Sequence, residues 1–174
     1  MKIIDNFLNE FDFEWIMDEL NNPYFNWHFS TILSDDTIMS HFRKHGTLLV
    51  DPLYNTQFCS LIDPETEWIK PLIDALGAKK TKRIKVNLTL PTKEHQHHGM
   101  HIDYAEDEDG TNPDQCKTAI YYVNSNNGYT QFANGDKVES VVNRAVIFDN
   151  GLWHEGVSCT NTQKRLVINI NYYE

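Results

Sequence analysis

Cysteine is scarce in this chain and forms no pattern. Cys59, Cys116 and Cys159 are the only three in 174 residues, with no Cys-x-x-Cys spacing. An odd, scattered set fits reduced thiols in a cytoplasm better than a disulfide framework. Long hydrophobic runs are missing as well. None approaches the roughly 20 residues of a membrane-crossing helix, so no membrane association is expected. The start, Met1-Lys2-Ile3-Ile4-Asp5-Asn6, turns acidic too early for a signal peptide. Positive charge is in deficit, 15 Lys and Arg against 25 Asp and Glu. That balance argues against nucleic acid or an anionic membrane as the main partner. The one basic cluster, Lys79, Lys80, Lys82, Arg83 and Lys85, reads as a solvated turn and strand start. Glycine-rich phosphate loops and nucleophile elbows are absent, which removes the common nucleotide-binding and serine-hydrolase chemistries.

What remains is a globular composition, 40% apolar, in a chain long enough to bury a core without covalent staples. One domain over residues 1–174 is expected. Phe11, Trp15, Ile16 and Leu20 fall at helical spacing before Asn21-Asn22-Pro23. A second helix is expected from Asp63 as N-cap and Pro64 in its first turn. Trp68, Ile69, Leu72, Ile73 and Leu76 form its apolar face, Pro71 can kink it, and Gly77 stops it. Residues 24–58 read as short strands and loops. From Arg83 the period becomes two: Ile84, Val86, Leu88 and Leu90 alternate with Arg83, Lys85, Asn87 and Thr89. Further strands are expected near 100–104, 117–124, 129–133, 137–142, 144–149 and 164–172, separated by turns such as Asp109-Gly110 and Asn134-Gly135-Asp136. The fold class is therefore mainly β with flanking α-helices, a double-stranded β-helix or jelly roll. Residues of about 1–80 give helical support and about 81–174 form the core.

His101-Ile102-Asp103, His154 and Arg165 carry the chemistry. On a strand, residues two apart share a face, so His101 and Asp103 aim at one point. His154 comes late enough for the chain to cross a sheet and return. Two histidines and a carboxylate make the facial triad of non-heme Fe(II) oxygenases, with open positions left on the metal. Arg165 is a fixed cation suited to a two-pronged carboxylate clamp. His95, His97 and His98 read as a polar loop at the mouth of the pocket, with a second ligand set as the rival. His28, His41 and His45 are scattered and carry no role. The acidic run Asp107, Glu108 and Asp109 reads as a solvated loop.

These residues resemble the prolyl 4-hydroxylase-like branch of the Fe(II)/2-oxoglutarate-dependent dioxygenases. The segment 118–124 is similar to the strand after the family's His-x-Asp motif. Asn127-Gly128-Tyr129-Thr130-Gln131-Phe132 is similar to its Gly-x-Thr-x-Phe strand. Residues 144–149 and 153–157 resemble the strand and turn that deliver the distal histidine. The resemblance implies Fe(II) on His101, Asp103 and His154. It implies 2-oxoglutarate clamped by Arg165 and the Tyr122 hydroxyl, in a pocket lined by Ile120 and Thr130 and reached by Asn87. O2 would be the second co-substrate and ascorbate the reductant. The substrate would be a peptidyl prolyl residue or a small metabolite. Lys164, next to Arg165, is a rival clamp. Trp27, Trp68, Trp153, Tyr104 and Tyr121 either wall the pocket or pack the core. Two other readings stand beside this one: a cupin-like metalloenzyme using His95, His97 and His154 without 2-oxoglutarate, and a non-catalytic jelly-roll binding module.

Overall fold

A computed structural model describes residues 1–33, 54–103 and 115–174. The strands are β1 (Lys2–Ile4), β2 (His28–Thr31), β3 (Thr56–Leu61), β4 (Lys80–Thr89), β5 (Lys117–Tyr122), β6 (Tyr129–Phe132), β7 (Lys137–Glu139), β8 (Arg144–Asp149), β9 (His154–Val157) and β10 (Arg165–Tyr173). They form two antiparallel sheets, ordered β1-β8-β5-β10-β4-β3-β2 and β7-β6-β9. This is the expected jelly-roll arrangement.

The period-two pattern sends each strand's residues to two different cores. Outward from the large sheet, Ile84, Val86, Ala119, Tyr121, Leu166, Ile168 and Ile170 pack with the helical residues Ile16, Leu20, Leu72 and Leu76. Inward, Ile120, Tyr122, Val146, Phe148 and Val167 meet Phe132 and Val138 of the small sheet. Among the aromatic residues considered as pocket walls, Trp68 and Tyr121 lie in the outer core, with Trp27 packed against it. Trp153 is half exposed.

Helix α1 (Glu10–Asn21) begins where Asn9 accepts the Asp12 N–H at 3.0 Å, a cap worth about 1 kcal/mol. Phe11 does not join its buried face and is 74% exposed. At 100° per residue it stands roughly 140° from Ile16 and about opposite Leu20. The second helix starts later than Asp63. The Asp63 side chain accepts the Glu65 N–H in a turn, a 3-10 turn follows over Glu67–Ile69, and α2 spans Lys70–Leu76. Pro71 therefore sits in the first turn, where its missing N–H costs nothing, and it makes no kink. Gly77 closes α2 in the left-handed conformation, φ 66°. Strand β9 was not anticipated, and the strand expected near 100–104 is reduced to isolated bridges, His97 with Val157 and His101 with His154. Tyr104, Asp107, Glu108, Asp109, His41 and His45 lie outside the described residues.

Candidate active site

The inner face of the large sheet is polar at its centre. Register places Thr89 opposite Arg165, Asn87 opposite Val167, Lys85 opposite Asn169 and Arg83 opposite Asn171. On the other flank of β10, Tyr122, Ile120 and Thr118 stand opposite Val167, Asn169 and Asn171. The small sheet supplies Thr130 from β6 and His154 from β9. The segment 97–101 runs along β9, with paired backbone hydrogen bonds between His101 and His154 at 2.9 and 3.0 Å.

That pairing brings His101, Asp103 and His154 together. One donor atom from each lies within 4.8 Å of the others. His101 Nδ1 is 2.9 Å from the Gly99 carbonyl and His154 Nδ1 is 3.0 Å from the Leu152 carbonyl. A carbonyl can only accept, so each Nδ1 carries a proton, and Nε2 is the ring atom left to act as a ligand. His154 Nε2 is buried with no hydrogen-bond partner. Such an orphan is costly unless something binds it, and a metal ion satisfies it. Burial pushes the His154 pKa down and keeps the ring neutral, with the Asp103 charge opposing.

Asp103 is fixed from both sides. Asn171 Nδ2 donates to Oδ2 at 2.9 Å, and Arg83 Nη2 pairs with Oδ1 at 3.2 Å. Arg83 Nε also donates to Asn171 Oδ1 at 3.1 Å, and Asn171 continues to Thr118 at 3.0 Å. Burial raises the Asp103 pKa, but Arg83, His154 and Asn171 outweigh it and hold the carboxyl ionised. Outer hydrogen bonds of this kind orient metal ligands and tune them. Arg83, expected in a solvated strand start, is thus part of the site, and Asn171 joins it with no sequence signal of its own.

Arg165 lies at the other end of β10, buried at 5% exposure. Its Nε donates to Ser140 Oγ at 3.2 Å and its Nη2 to Thr130 Oγ1 at 3.3 Å. The guanidinium sits 5.8 Å from the Tyr122 ring centre. Among the described residues no carboxylate pairs with it. Burial lowers its pKa, with Tyr122 and Cys159 opposing. Thr130 Oγ1 also accepts the Tyr122 hydroxyl at 2.7 Å. With two donors aimed at that oxygen, the Thr130 hydrogen is free to donate elsewhere. The rival cation, Lys164, turns outward and reaches Asn21 at 3.3 Å. Ile120 lies in the inner core, and Asn87 Oδ1 is buried and unpartnered.

The neighbouring histidines do not join the cluster. His95 Nδ1 bonds the Ser158 carbonyl at 2.7 Å, and His97 Nδ1 pairs with Glu155 at 2.6 Å. Among the described residues only His101, Asp103 and His154 bring their donor atoms together, so the cupin-like set of His95, His97 and His154 is not assembled. Glu155 also accepts the Gly99 N–H at 3.0 Å and pins the segment before His101, a role no sequence pattern signalled. His98 is not a mouth residue. It is 5% exposed beside Arg165. Burial first, then the charge of Arg165, pushes its pKa down to about 3.

The profile of the 2OG-Fe(II) oxygenase superfamily matches residues 85–173, the stretch that holds this constellation. The chain belongs to that superfamily. As a 2OG-Fe(II) oxygenase it is an enzyme of the 2-oxoglutarate-dependent dioxygenase class, which sets the binding-module reading aside. The family's cofactor set is Fe(II), 2-oxoglutarate and O2. No curated protein matches the chain. Solved structures match its fold. A Trichoplax adhaerens prolyl hydroxylase, in complex with a hypoxia inducible factor oxygen degradation domain peptide fragment, is 16% identical with TM-score 0.61. The alignment covers 99% of this chain and 82% of that one. The viral collagen prolyl hydroxylase of Paramecium Bursaria Chlorella virus-1 is 14% identical with TM-score 0.57, covering 99% and 89%. A Pseudomonas putida prolyl-4-hydroxylase is 17% identical with TM-score 0.50, covering 94% and 98%. Among the described residues of this oxygenase, no helix is long and apolar enough to cross a membrane.

Proposed function

We propose that this oxygenase binds Fe(II) through His101, Asp103 and His154, clamps 2-oxoglutarate with Arg165, and hydroxylates a C–H bond. The substrate is a peptidyl prolyl residue or a small metabolite. The observation that carries the reading is the buried Arg165 guanidinium with no carboxylate among the described residues, on the same inner face as the two-histidine, one-carboxylate cluster.

Bound iron with 2-oxoglutarate and O2 supplies the oxidising chemistry, with ascorbate as the expected reductant. The chain supplies position. Arg165 and the free Thr130 hydrogen bind the far carboxylate of the co-substrate. Tyr122, expected to give its hydroxyl to that carboxylate, donates instead to Thr130 and orients it; its ring lies beneath the guanidinium, and Ile120 closes the apolar wall. Asn87 offers a buried amide to the middle of the pocket. Arg83 and Asn171 hold Asp103 in its ligating orientation. Orienting a co-substrate in this way contributes as much through geometry as through affinity. The peptide in the Trichoplax adhaerens complex favours a peptide substrate; the small-metabolite reading rests on the site alone.

The test is succinate release from 2-oxoglutarate with Fe(II) and ascorbate. Removing one side of a buried charged pair costs about 2–5 kcal/mol, which is roughly thirtyfold or more in affinity. Arg165→Ala should raise the 2-oxoglutarate requirement by that factor, and Lys164→Ala should leave it unchanged. Equal effects of the two substitutions would reject the clamp.

A further inference from the structure

Two cations on β4 face the candidate metal cluster from the side away from Arg165. Lys85 and Arg83 share the inner face with Asn87 and Thr89, because Ile84, Val86 and Leu88 turn to the helices. Counted along β10, Lys85 stands level with Asn169 and Arg83 with Asn171, four and six positions from Arg165. At 3.3 Å per residue those levels are roughly 13 and 20 Å from the clamp. Beyond Lys85 the sheet continues into β3, with Leu61 opposite Lys85 and Cys59 opposite Asn87. Leu61 is 71% exposed, so the face opens toward solvent on this side.

The arrangement is expensive without a ligand. Lys85 is half-buried, and its ammonium makes no hydrogen bond or ion pair with any described residue. A like charge, Arg83, stands two residues away on the same face. Burial pushes the Lys85 pKa down, Cys59 opposes, Arg83 adds to the fall and Asp103 opposes. The Asp103 carboxylate is already engaged by Arg83 and Asn171. A divalent metal would engage it further. Asp103 brings one negative charge against two on the metal and one each on Arg83 and Lys85. The keto-acid end of 2-oxoglutarate removes one more positive charge, so the described groups of the loaded site stay cationic within a protein of net charge −10. A cationic cleft in low-dielectric walls concentrates anions. Asn169 Oδ1, directly across from Lys85, is buried without a partner, as are Asn87 Oδ1 and Thr89 Oγ1 on the same face; the amide oxygens accept hydrogen bonds, so a ligand seated here presents a hydrogen-bond donor beside its anionic group.

We infer that Lys85, flanked by Arg83 and Asn169, is the subsite for an anionic group of the substrate, so that the molecule hydroxylated carries a carboxylate. The inference rests on the metal and co-substrate reading above. Arg83 is committed to Asp103, which leaves one ammonium for one carboxylate. The carboxylate belongs either to a free small acid or to an acidic side chain or terminus of a peptide. The cation sets the charge of the group recognised and leaves the size of the molecule open.

The test uses the full chain loaded with Mn(II) in place of iron. Binding of 2-oxoglutarate is titrated first by calorimetry. Paramagnetic broadening of proton signals then reports small probes near the metal. The probes are a panel of N-acetyl amino acids, each beside its neutral amide, and a short peptide with and without an acidic residue. The acids should be broadened in preference to their amides. Lys85→Gln should reduce that preference about tenfold or more, and Lys85→Arg should restore it. Preference in the amino acid pairs alone identifies a free acid; preference in the peptide pair alone identifies a peptide carboxylate. Acids and amides broadened equally throughout would overturn the inference, as would a preference that survives Lys85→Gln. If Lys85→Gln weakens 2-oxoglutarate binding as much as Arg165→Ala does, Lys85 is a co-substrate contact and the substrate subsite is rejected. Failure of the unmodified chain to bind 2-oxoglutarate would reject the underlying reading, and this one with it.

Discussion

At the scale of single residues, the site is a set of groups whose bonding partners are chosen to leave one atom open. His154 gives its Nδ1–H to a carbonyl and keeps a buried Nε2. Thr130 accepts twice and keeps its hydrogen. His98 is the residue whose protonation the pocket suppresses most plainly. Its folded pKa of about 3 lies below the ordinary 6.5. The unfolded chain therefore binds more protons between those values, and stability must fall as pH drops from 6.5 toward 3. The His98 contribution is complete above 6.5. Linkage puts the loss between pH 7 and pH 5 at about 2 kcal/mol. Urea denaturation at those two pH values should show it, and His98→Asn should flatten the slope by about that amount. An unchanged slope in the variant would mean that the imidazole is protonated in the folded state.

At the scale of elements, β10 was legible because strand alternation admits only one of Lys164 and Arg165 to the interior, and the apolar set Leu166, Ile168 and Ile170 fixes which side that is. The polar side of β4 was harder. Alternating polar residues usually mean a solvated face, yet here they line a cavity, and nothing local separates the two cases. Arg83 and Asp103 meet across a loop, and Asn171 lies 68 residues from Asp103, so no short pattern reports the network. The turn before β6 carries a sharper requirement. A Cβ at Gly128 would stand 2.8 Å from Arg165 Cδ, Asn126 Oδ1 and the Val157 carbonyl. The Val157 carbonyl is backbone and cannot swing aside, so the turn itself must shift and carry its contact with the arginine stem along. Gly128→Ala should therefore raise the 2-oxoglutarate requirement about tenfold, the effect of losing one charge-assisted hydrogen bond. Gly151→Ala, where a Cβ meets nothing within 4 Å, should not. Matched 2-oxoglutarate titrations of the two variants would expose the difference, and parallel curves would contradict the steric account.

At the scale of the whole molecule, the large sheet separates two tasks. Its outer face binds the helices and its inner face carries the chemistry. The jelly roll was readable from the change of hydrophobic period at Arg83 and the turn signals after it. The helical support was less readable, because Phe11 and Pro71 fit a helical pattern without occupying the places it suggests, and the short β1–β3 carry too few alternations to declare themselves. The separation makes a prediction. Ile168 is fully buried against the helices, and Ile168→Ala should cost about 2–5 kcal/mol of stability. Its thermal midpoint should fall while the 2-oxoglutarate affinity of the folded fraction holds, because no Ile168 atom faces the pocket. A proportionate loss of affinity would show that the two faces are coupled.

The most direct test is an anaerobic titration of the full chain with Fe(II) and 2-oxoglutarate, followed by the visible charge-transfer absorption of a 2-oxo acid chelated to Fe(II). The unmodified chain should develop the band at one equivalent of iron. His101→Ala, Asp103→Ala and His154→Ala should each abolish it, and His95→Ala and His97→Ala should leave it intact. A band that persists without His101, or that disappears with His95 or His97 instead, would contradict the assignment of the metal centre.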